Sequence, residues 1–304
     1  MKKIAINGFG RIGKLAARII LETNAFDVVG VNDLEEEKTL KESFKNDPVY
    51  GKFNQKIKAK FFQEKDPLNL PWEELGVDVV LECTGFFRDK KAVNHIKAGA
   101  KKVIISAPSK DDSIPVYILG VNEKDYNKED IISMGSCTTN ATAPVMKILD
   151  KELGVKKAFL NTIHSYTASQ GEWIGKKDLS IIPTTTGATK TVERVLPQLK
   201  GKLDGLALRV PTKTVSIVEL CLEVSKEASK DKINSILKEN EIKGIFKVEK
   251  RKLDSLDYRK NEYSGILDAN LTQSFRNFIR VFVWYDNEWA YAKRLVEMAK
   301  YISK

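Results

Sequence analysis

The 304-residue sequence predicts an α/β fold with a doubly wound parallel sheet, joined to an α+β domain whose sheet is mostly antiparallel. Two observations predict it. Up to about residue 134, short apolar runs alternate with amphipathic helical stretches, the texture of repeated βαβ units. Beyond residue 140, longer apolar runs follow one another with fewer helices between them. The length fits two domains at roughly 100 to 200 residues each, and 42% hydrophobic content fills a core in both.

The elements follow in order. Residues 3–7 are short and apolar, a glycine cluster turns the chain, and Lys14–Glu22 sets Leu15, Ile19 and Ile20 near helical spacing. A strand is expected at Asp27–Asn32, a helix at Glu36–Lys45 and a turn at Asp47-Pro48. The pattern recurs with strands at Val77–Glu82, Lys102–Ser106, Val116–Val121 and Ile131–Met134 and a helix at Lys90–Ala98. The second texture gives a helix at about Ala141–Leu153 and strands at Ala158–Ser165, Leu206–Val210 and Val215–Val224. A helix at Lys230–Glu239, a strand at Asn277–Tyr285 and a terminal helix at Glu288–Ile302 complete it.

Lys plus Arg number 51 against 41 Asp plus Glu, a net charge of +10. The charges are spread through amphipathic segments, which suits a partner carrying phosphate. No basic stripe interleaved with aromatics appears, so nucleic acid is not expected as a primary partner. Three cysteines, Cys83, Cys137 and Cys221, are too few for a disulfide framework and lack zinc-knuckle spacing. Reduced thiols, no metal site and a cytoplasmic location are expected. No apolar run is long enough for a signal peptide or a membrane span.

Gly8, Gly10 and Gly13 form G-x-G-x-x-G between a predicted strand and helix. Gly8 permits the turn, Gly10 lets the backbone approach a pyrophosphate, and Gly13 lets the helix pack against the strand, a Rossmann-type arrangement. Asp33 lies 20 residues after Gly13, at the end of the second strand. There a carboxylate accepts hydrogen bonds from ribose hydroxyls and repels a 2′-phosphate, so NAD is favoured over NADP.

Ser136-Cys137-Thr138-Thr139-Asn140 follows one predicted strand and precedes a helix. A cysteine at a helix N-terminus has its thiolate favoured by the dipole and the unpaired N–H groups. Cys83 and Cys221, inside apolar strands, read as small buried packing residues. Of the two histidines, His95 lies in a helix with Lys90, Lys91 and Lys97 and reads as a solvated surface residue. His164 ends an apolar strand. It reads either as a buried, hydrogen-bonded histidine or as the base for Cys137, and no other histidine suits that task.

Together with Ile6 to Gly13, Glu82-Cys83-Thr84-Gly85, Ile104 to Pro108, His164-Ser165-Tyr166-Thr167, Thr185 to Ala188, Arg209-Val210-Pro211-Thr212 and Trp284 to Glu288, these residues resemble the glyceraldehyde-3-phosphate dehydrogenase family over essentially the whole chain. The resemblance implies phosphorylating, NAD-dependent oxidation of glyceraldehyde 3-phosphate, as in glycolysis, with Cys137 as nucleophile and His164 as base. It implies that Thr167 and Arg209 hold the substrate phosphate and that Ser136, Thr138, Thr186 and Gly187 hold inorganic phosphate. For the cofactor it implies Asn7, Gly8, Phe9, Gly10, Arg11, Ile12 and Asp33, with Thr84 and Ser106 in the cleft and Lys65 near the adenine. Asn287 would fix the nicotinamide carboxamide, with Tyr291 one helical turn on. An NAD-binding domain of residues 1–136 and 288–304, a catalytic domain of 137–287 and a homotetramer follow from the same resemblance.

Two stretches are shorter than in the family, one between Phe53 and Asp66 and one between His164 and Ile181, only 17 residues apart. In relatives the second carries an arginine near the substrate and packs on a neighbouring subunit; here it reads Gly171 to Lys177 without arginine. Erythrose-4-phosphate dehydrogenase and a catalytically weakened binding or regulatory homologue remain as alternatives. Thr167, Thr186, Gly187 and the intact Cys137, His164 and Arg209 set count against them.

Overall fold

Six parallel strands make the first sheet. The computed structural model describes residues 1–167 and 180–304. In chain order it begins with β1 (Lys3–Asn7), α1 (Arg11–Thr23), β2 (Asp27–Asn32), α2 (Glu37–Lys45) and a hairpin of β3 (Asn46–Asp47) and β4 (Gly51–Lys52). Then come β5 (Lys60–Phe62), α3 (Trp72–Leu75), β6 (Val79–Glu82), α4 (Val93–Lys97), β7 (Lys102–Ile105) and β8 (Ile131–Ser133). The spatial order is β5-β2-β1-β6-β7-β8, every pair parallel. Connectivity therefore reverses between β1 and β6, and the crevice at such a switch point is where nucleotides bind. Ile4 to Ile6, Val79 to Leu81 and Val103 to Ile105 are all buried, as strands covered on both faces must be. Helix α1 packs on β1 and β2 through Leu15, Ala16, Ile19 and Ile20. It stops at Asn24, whose left-handed conformation lets its N–H cap the last turn.

The second sheet is mixed. Its elements are α5 (Cys137–Leu153), β9 (Val155–Ser165), β10 (Ile182–Thr185), α6 (Ala188–Val195), β11 (Leu203–Val210), β12 (Ser216–Val224), α7 (Lys230–Glu239), β13 (Phe246–Glu249), β14 (Gly265–Asp268), β15 (Gln273–Phe275) and β16 (Phe278–Tyr285). The order is β10-β11-β9-β12-β16-β14-β13, with β15 on β16. Only β9 with β11 and β13 with β14 run parallel. Strand β12 shows the alternation of a sheet with two unlike faces: Ser216, Val218, Leu220, Leu222 and Val224 are buried, while Ile217, Glu219, Cys221 and Glu223 are not. Helix α5 packs against β9, β12, β14 and β16.

The chain clusters into two units. One holds Met1–Tyr117, Asn122–Ser136 and Tyr291–Lys304, the last within helix α8 (Trp289–Ile302) and its end; the other holds Ile118–Val121 and Cys137–Ala290. One expected strand does not form: Val116–Val121 is an apolar turn in which only Val116 makes a bridge, to Ser133. Its residues are buried, but Gly120 takes a positive φ of 82°, which breaks any extended run. Helix α5 starts at Cys137 rather than near Ala141.

Candidate active site

In the first unit a pocket of about 510 Å³ opens at the switch point, lined by the expected Asn7, Gly8, Gly10, Asp33, Lys65 and Thr84. The three glycines meet three environments. A Cβ on Gly8, which has φ of 90°, would lie 2.6 Å from the Thr84 nitrogen, and one on Gly13 would lie 2.1 Å from the Gly8 carbonyl oxygen. Both are close backbone approaches that only glycine allows. A Cβ on Gly10 would meet nothing within 4 Å, so that face of the turn is open to a ligand. Helix α1 begins there without a side-chain cap, leaving its dipole to face an anion. Asp33 accepts from the Phe9 N–H at 2.6 Å and the Glu35 N–H at 3.1 Å, which fixes the carboxylate at the pocket wall. These features fit a dinucleotide.

Of the other expected cofactor residues, Phe9 is buried against Phe44 and Phe61, and Arg11 is paired with Asp47 at 2.8 Å. Ile12 is half-buried in the first turn of α1. Ser106 is hydrogen-bonded to the thiol of Cys83, which burial pushes up to about 12. Cys83 follows the last residue of β6 rather than lying inside the strand, and, half-buried, it lines the pocket together with Asn32, Leu34, Glu64, Phe86 and Phe87. Tyr291 is buried, and its hydroxyl donates to the Gly135 carbonyl at 2.8 Å, supporting the turn before Ser136.

His95 is a correction. It is fully buried, because Ala92, His95 and Ile96 form the inward stripe at helical spacing while Lys90, Lys91 and Lys97 face out. The Trp72 indole N–H donates to His95 Nδ1 at 3.0 Å. The indole is only a donor, so the ring carries its proton on Nε2 and donates it to Glu82 Oε2 at 3.0 Å. Glu82 in turn accepts from Asn7 Nδ2 at 2.5 Å and from the Thr84 N–H at 2.8 Å. Two pocket residues are thus fixed by a buried carboxylate and histidine that sequence reasoning passed over. The signal was a glutamate closing the apolar run Val79 to Leu81, where a charge needs a partner.

In the second unit Cys137 is the first residue of α5 and His164 the penultimate residue of β9. Cys137 Sγ lies 3.4 Å from His164 Nε2. Arg209 sits beside them because β11 runs parallel to β9 with Arg209 opposite His164. Its Nη1 is 2.6 Å from His164 Nδ1, while its Nε is buried without a partner. Tyr285 Oη ties α5 to β9 through Thr138 Oγ1 at 2.9 Å and Thr162 Oγ1 at 2.8 Å.

Desolvation raises the Cys137 thiol to about 11, although the Arg209 charge and hydrogen bonds from Thr138 and the helix N-terminus pull the other way. Burial thus works against the dipole and the Arg209 charge, and His164 is the neighbouring group that can take the thiol proton. Desolvation, then the Arg209 charge, lowers His164 to about 3, so the imidazole is neutral. Thr186 Oγ1 accepts from the Ala188 N–H at 3.2 Å, and Gly187 caps α6, so both stand at a helix N-terminus suited to an oxyanion. Asn287 Oδ1 accepts from Ser165 Oγ at 3.1 Å and Ser216 Oγ at 3.0 Å. Ser136 and Thr167 are half-buried. The shortened loop at Gly171 to Lys177 lies outside the described residues.

A glycine turn and carboxylate at a pocket that fits a dinucleotide, in a chain that also sets a thiol beside a histidine, fit the class of NAD-dependent oxidoreductases. Comparison with known proteins narrows the class. Residues 2–90 match the glyceraldehyde 3-phosphate dehydrogenase NAD binding domain and residues 136–287 its C-terminal domain. Glyceraldehyde-3-phosphate dehydrogenase 1 of Kluyveromyces lactis is 41% identical over 331 residues, covering 100% of both chains. The glyceraldehyde-3-phosphate dehydrogenases of Bacteroides fragilis and Clostridium pasteurianum are 42% and 43% identical over 332 and 335 residues, each covering 100% of this chain and 99% of the relative. The chain belongs to the glyceraldehyde-3-phosphate dehydrogenase family. Each aligned span exceeds its 304 residues, so these relatives carry stretches it lacks. Among the described residues no helix is long and apolar enough to cross a membrane, and no group of His, Cys, Asp or Glu could hold a metal ion.

Proposed function

We propose that the protein oxidises glyceraldehyde 3-phosphate to 1,3-bisphosphoglycerate, with inorganic phosphate as acyl acceptor. The Cys137, His164 and Arg209 cluster carries this reading, since it combines a nucleophile, a base within reach of it and a cation for phosphate. Bound NAD supplies the hydride acceptor. Cys137 Sγ adds to the aldehyde carbon as His164 Nε2 takes the thiol proton and returns it to the carbonyl oxygen, giving a thiohemiacetal. His164 then removes the hydroxyl proton while the carbon is oxidised to a thioester, a general-base contribution of roughly 10² to 10⁴. Phosphate, held by Ser136, Thr138, Thr186 and Gly187, displaces the thiol as an acyl phosphate. Arg209 and Thr167 hold the phosphate already on the substrate, and Arg suits that task because its fork matches phosphate oxygens.

Asn7, Gly8, Gly10, Asp33, Thr84 and Lys65 hold NAD, with the N–H groups opening α1 on the pyrophosphate. Asn287 keeps Nδ2 for the carboxamide, since both its side-chain partners lie on Oδ1. Division into a cofactor domain (1–136 and 288–304) and a catalytic domain (137–287), a cytoplasmic location and a homo-oligomer belong to the same reading. The outer face of the second sheet supports the oligomer. Phe159, Phe278 and Leu206 are 60%, 56% and 42% exposed there, with Cys221 opposite Phe159, more apolar surface than a lone sheet face needs. The test is NADH formation from glyceraldehyde 3-phosphate and NAD with and without inorganic phosphate, against Cys137→Ser. Phosphate-dependent turnover lost in the variant is expected; turnover indifferent to phosphate would refute the acyl-phosphate route.

A further inference from the structure

Behind the lining of the cofactor pocket runs a chain of hydrogen bonds whose direction is fixed at both ends. At one end the Glu64 backbone donates its N–H to Asn32 Oδ1 at 2.8 Å and accepts from Asn32 Nδ2 at 2.9 Å, so the Asn32 amide cannot be turned over. Asn32 Nδ2 also donates to Asn7 Oδ1 at 2.7 Å, which leaves Asn7 Nδ2 to donate to Glu82 Oε2 at 2.5 Å. At the other end the Trp72 indole, which only donates, gives its N–H to His95 Nδ1 at 3.0 Å. His95 Nε2–H therefore donates to Glu82 Oε2 as well, at 3.0 Å. Asn7 Nδ2 and His95 Nε2 stand 3.3 Å apart, two donors on one oxygen. Glu82 Oε1 accepts from the Thr84 N–H at 2.8 Å and from the Thr84 hydroxyl. Four donors converge on residue 82, and a carboxylate accepts all four where an amide of the same shape cannot.

Asn7, Asn32, Glu64 and Thr84 line the pocket, whereas Trp72, His95 and Glu82 do not and are at most 1% exposed. Glu82 joins the two strands between which connectivity reverses: it ends β6, paired with Asn7 at the end of β1. Asn7 leads into Gly8, and the Thr84 nitrogen is the atom nearest the place of a Gly8 Cβ. One carboxylate thus holds both the strand entering the glycine turn and the backbone on which that turn rests. We infer that Glu82 and His95 are positioning residues for NAD: without touching the cofactor, they fix the spacing between the glycine turn and Thr84 and so set the affinity of the crevice for the ribose and pyrophosphate. This rests on the assignment of NAD to this pocket and adds what governs its affinity. A pair with a structural use alone would change stability and leave the NAD affinity of a folded variant untouched; the positioning role ties the two together.

Glu82→Gln keeps the volume of the side chain but sets a donor among four donors. In the folded variant KM for NAD should rise about tenfold or more, with kcat within about twofold of wild type. Calorimetry should find NAD and NADH weakened alike, because the turn and Thr84 serve the part common to both. His95→Gln, which keeps a donor for Glu82, should stay within about threefold of wild type, whereas His95→Leu should follow Glu82→Gln. Adding Asn7→Asp to Glu82→Gln moves the carboxylate one step along the chain, offers His95 and Asn32 an acceptor at residue 7 and leaves an oxygen of residue 82 for Thr84. That double variant should regain urea stability over Glu82→Gln alone, and failure to regain it overturns the assigned direction of the chain. In the wild type, NAD titration should shift the His95 Nε2–H proton resonance with the midpoint that calorimetry gives, a readout that needs no variant. An unchanged KM for NAD in folded Glu82→Gln, a weakening of NAD without NADH, a fall in kcat in place of the rise in KM, or a His95 resonance indifferent to bound NAD overturns the positioning role. A wild type that binds no NAD overturns the cofactor assignment with it, whereas a wild type and variants that bind NAD equally well overturn the positioning role alone.

Discussion

Replacing Gly10 by alanine should separate cofactor binding from folding. The residue has φ of −76° and ψ of −152°, which a non-glycine residue can adopt, and its new Cβ would meet no protein atom within 4 Å. Two small stability effects oppose each other. Loss of unfolded-state freedom stabilises by about 0.4 to 1 kcal/mol, while alanine is a poorer N-cap than glycine by up to about 1 kcal/mol. The net change should lie within about 0.5 kcal/mol of zero. The methyl group would stand where the pyrophosphate comes closest to the backbone, and displacing that contact should weaken NAD at least about tenfold, roughly 1.4 kcal/mol. Gly13→Ala is the contrast, since its Cβ would lie 2.1 Å from the Gly8 carbonyl oxygen; overpacking of that kind costs about 1 to 3 kcal/mol or more. Urea denaturation of both variants and NAD titration by calorimetry give the two numbers. Unchanged NAD affinity in Gly10→Ala would show that the pyrophosphate does not sit on this turn, and a markedly less stable variant would show that the open space was misjudged.

His95→Leu should lower stability by about 3 to 5 kcal/mol in urea, because it strands the Trp72 N–H and removes a partner from the buried Glu82 carboxylate; a loss below about 1 kcal/mol would mean the network is incidental. Glu249 is held down to about 2, first by its hydrogen bond to Arg251. A depressed carboxyl stabilises the fold above its unfolded value of 4.5 and loses that contribution as pH falls towards 2. The stability gap between wild type and Glu249→Gln should therefore close over that window, and a gap independent of pH would contradict the pairing. Phe159→Glu combined with Leu206→Glu should reduce the oligomer to smaller species in sedimentation velocity without disturbing the melting curve; an unchanged sedimentation coefficient would place the interface elsewhere.

The parts legible in the sequence were those set by local pattern. Asp27–Asn32 and Lys230–Glu239 form with the bounds the periodicity gives, and the glycine turn lies where Gly8, Gly10 and Gly13 put it. Parts that depend on distant pairing were not legible. Strand β10 contains Pro183, which argues against a strand, yet β10 is an edge where a missing N–H is tolerated. The apolar run Val116–Val121 looks like a strand because burial alone does not distinguish a strand from a packed turn. Cys137 and His164 could be named from their residue types, but the position of Arg209 beside His164 rests on a parallel pairing across 45 residues. His95 was misread because its lysine neighbours describe the outer face of a short helix and say nothing of the inner one.

The placing of His164 by alternation on β9 has a consequence for how this chain can change. Ala158, Leu160, Thr162 and His164 point inward, while Phe159, Asn161 and Ile163 do not. One residue inserted in the strand ahead of position 163 would reverse that parity, turning the imidazole out to the face that carries Phe159 and bringing Ile163 against the thiol. Every amino acid named in the chemistry would still be present and the composition nearly untouched, yet the reaction would be lost. Insertions and deletions should therefore be tolerated in the connections and excluded from β9, so that lineages diverge here in the lengths of their loops while the parity of one strand stays frozen.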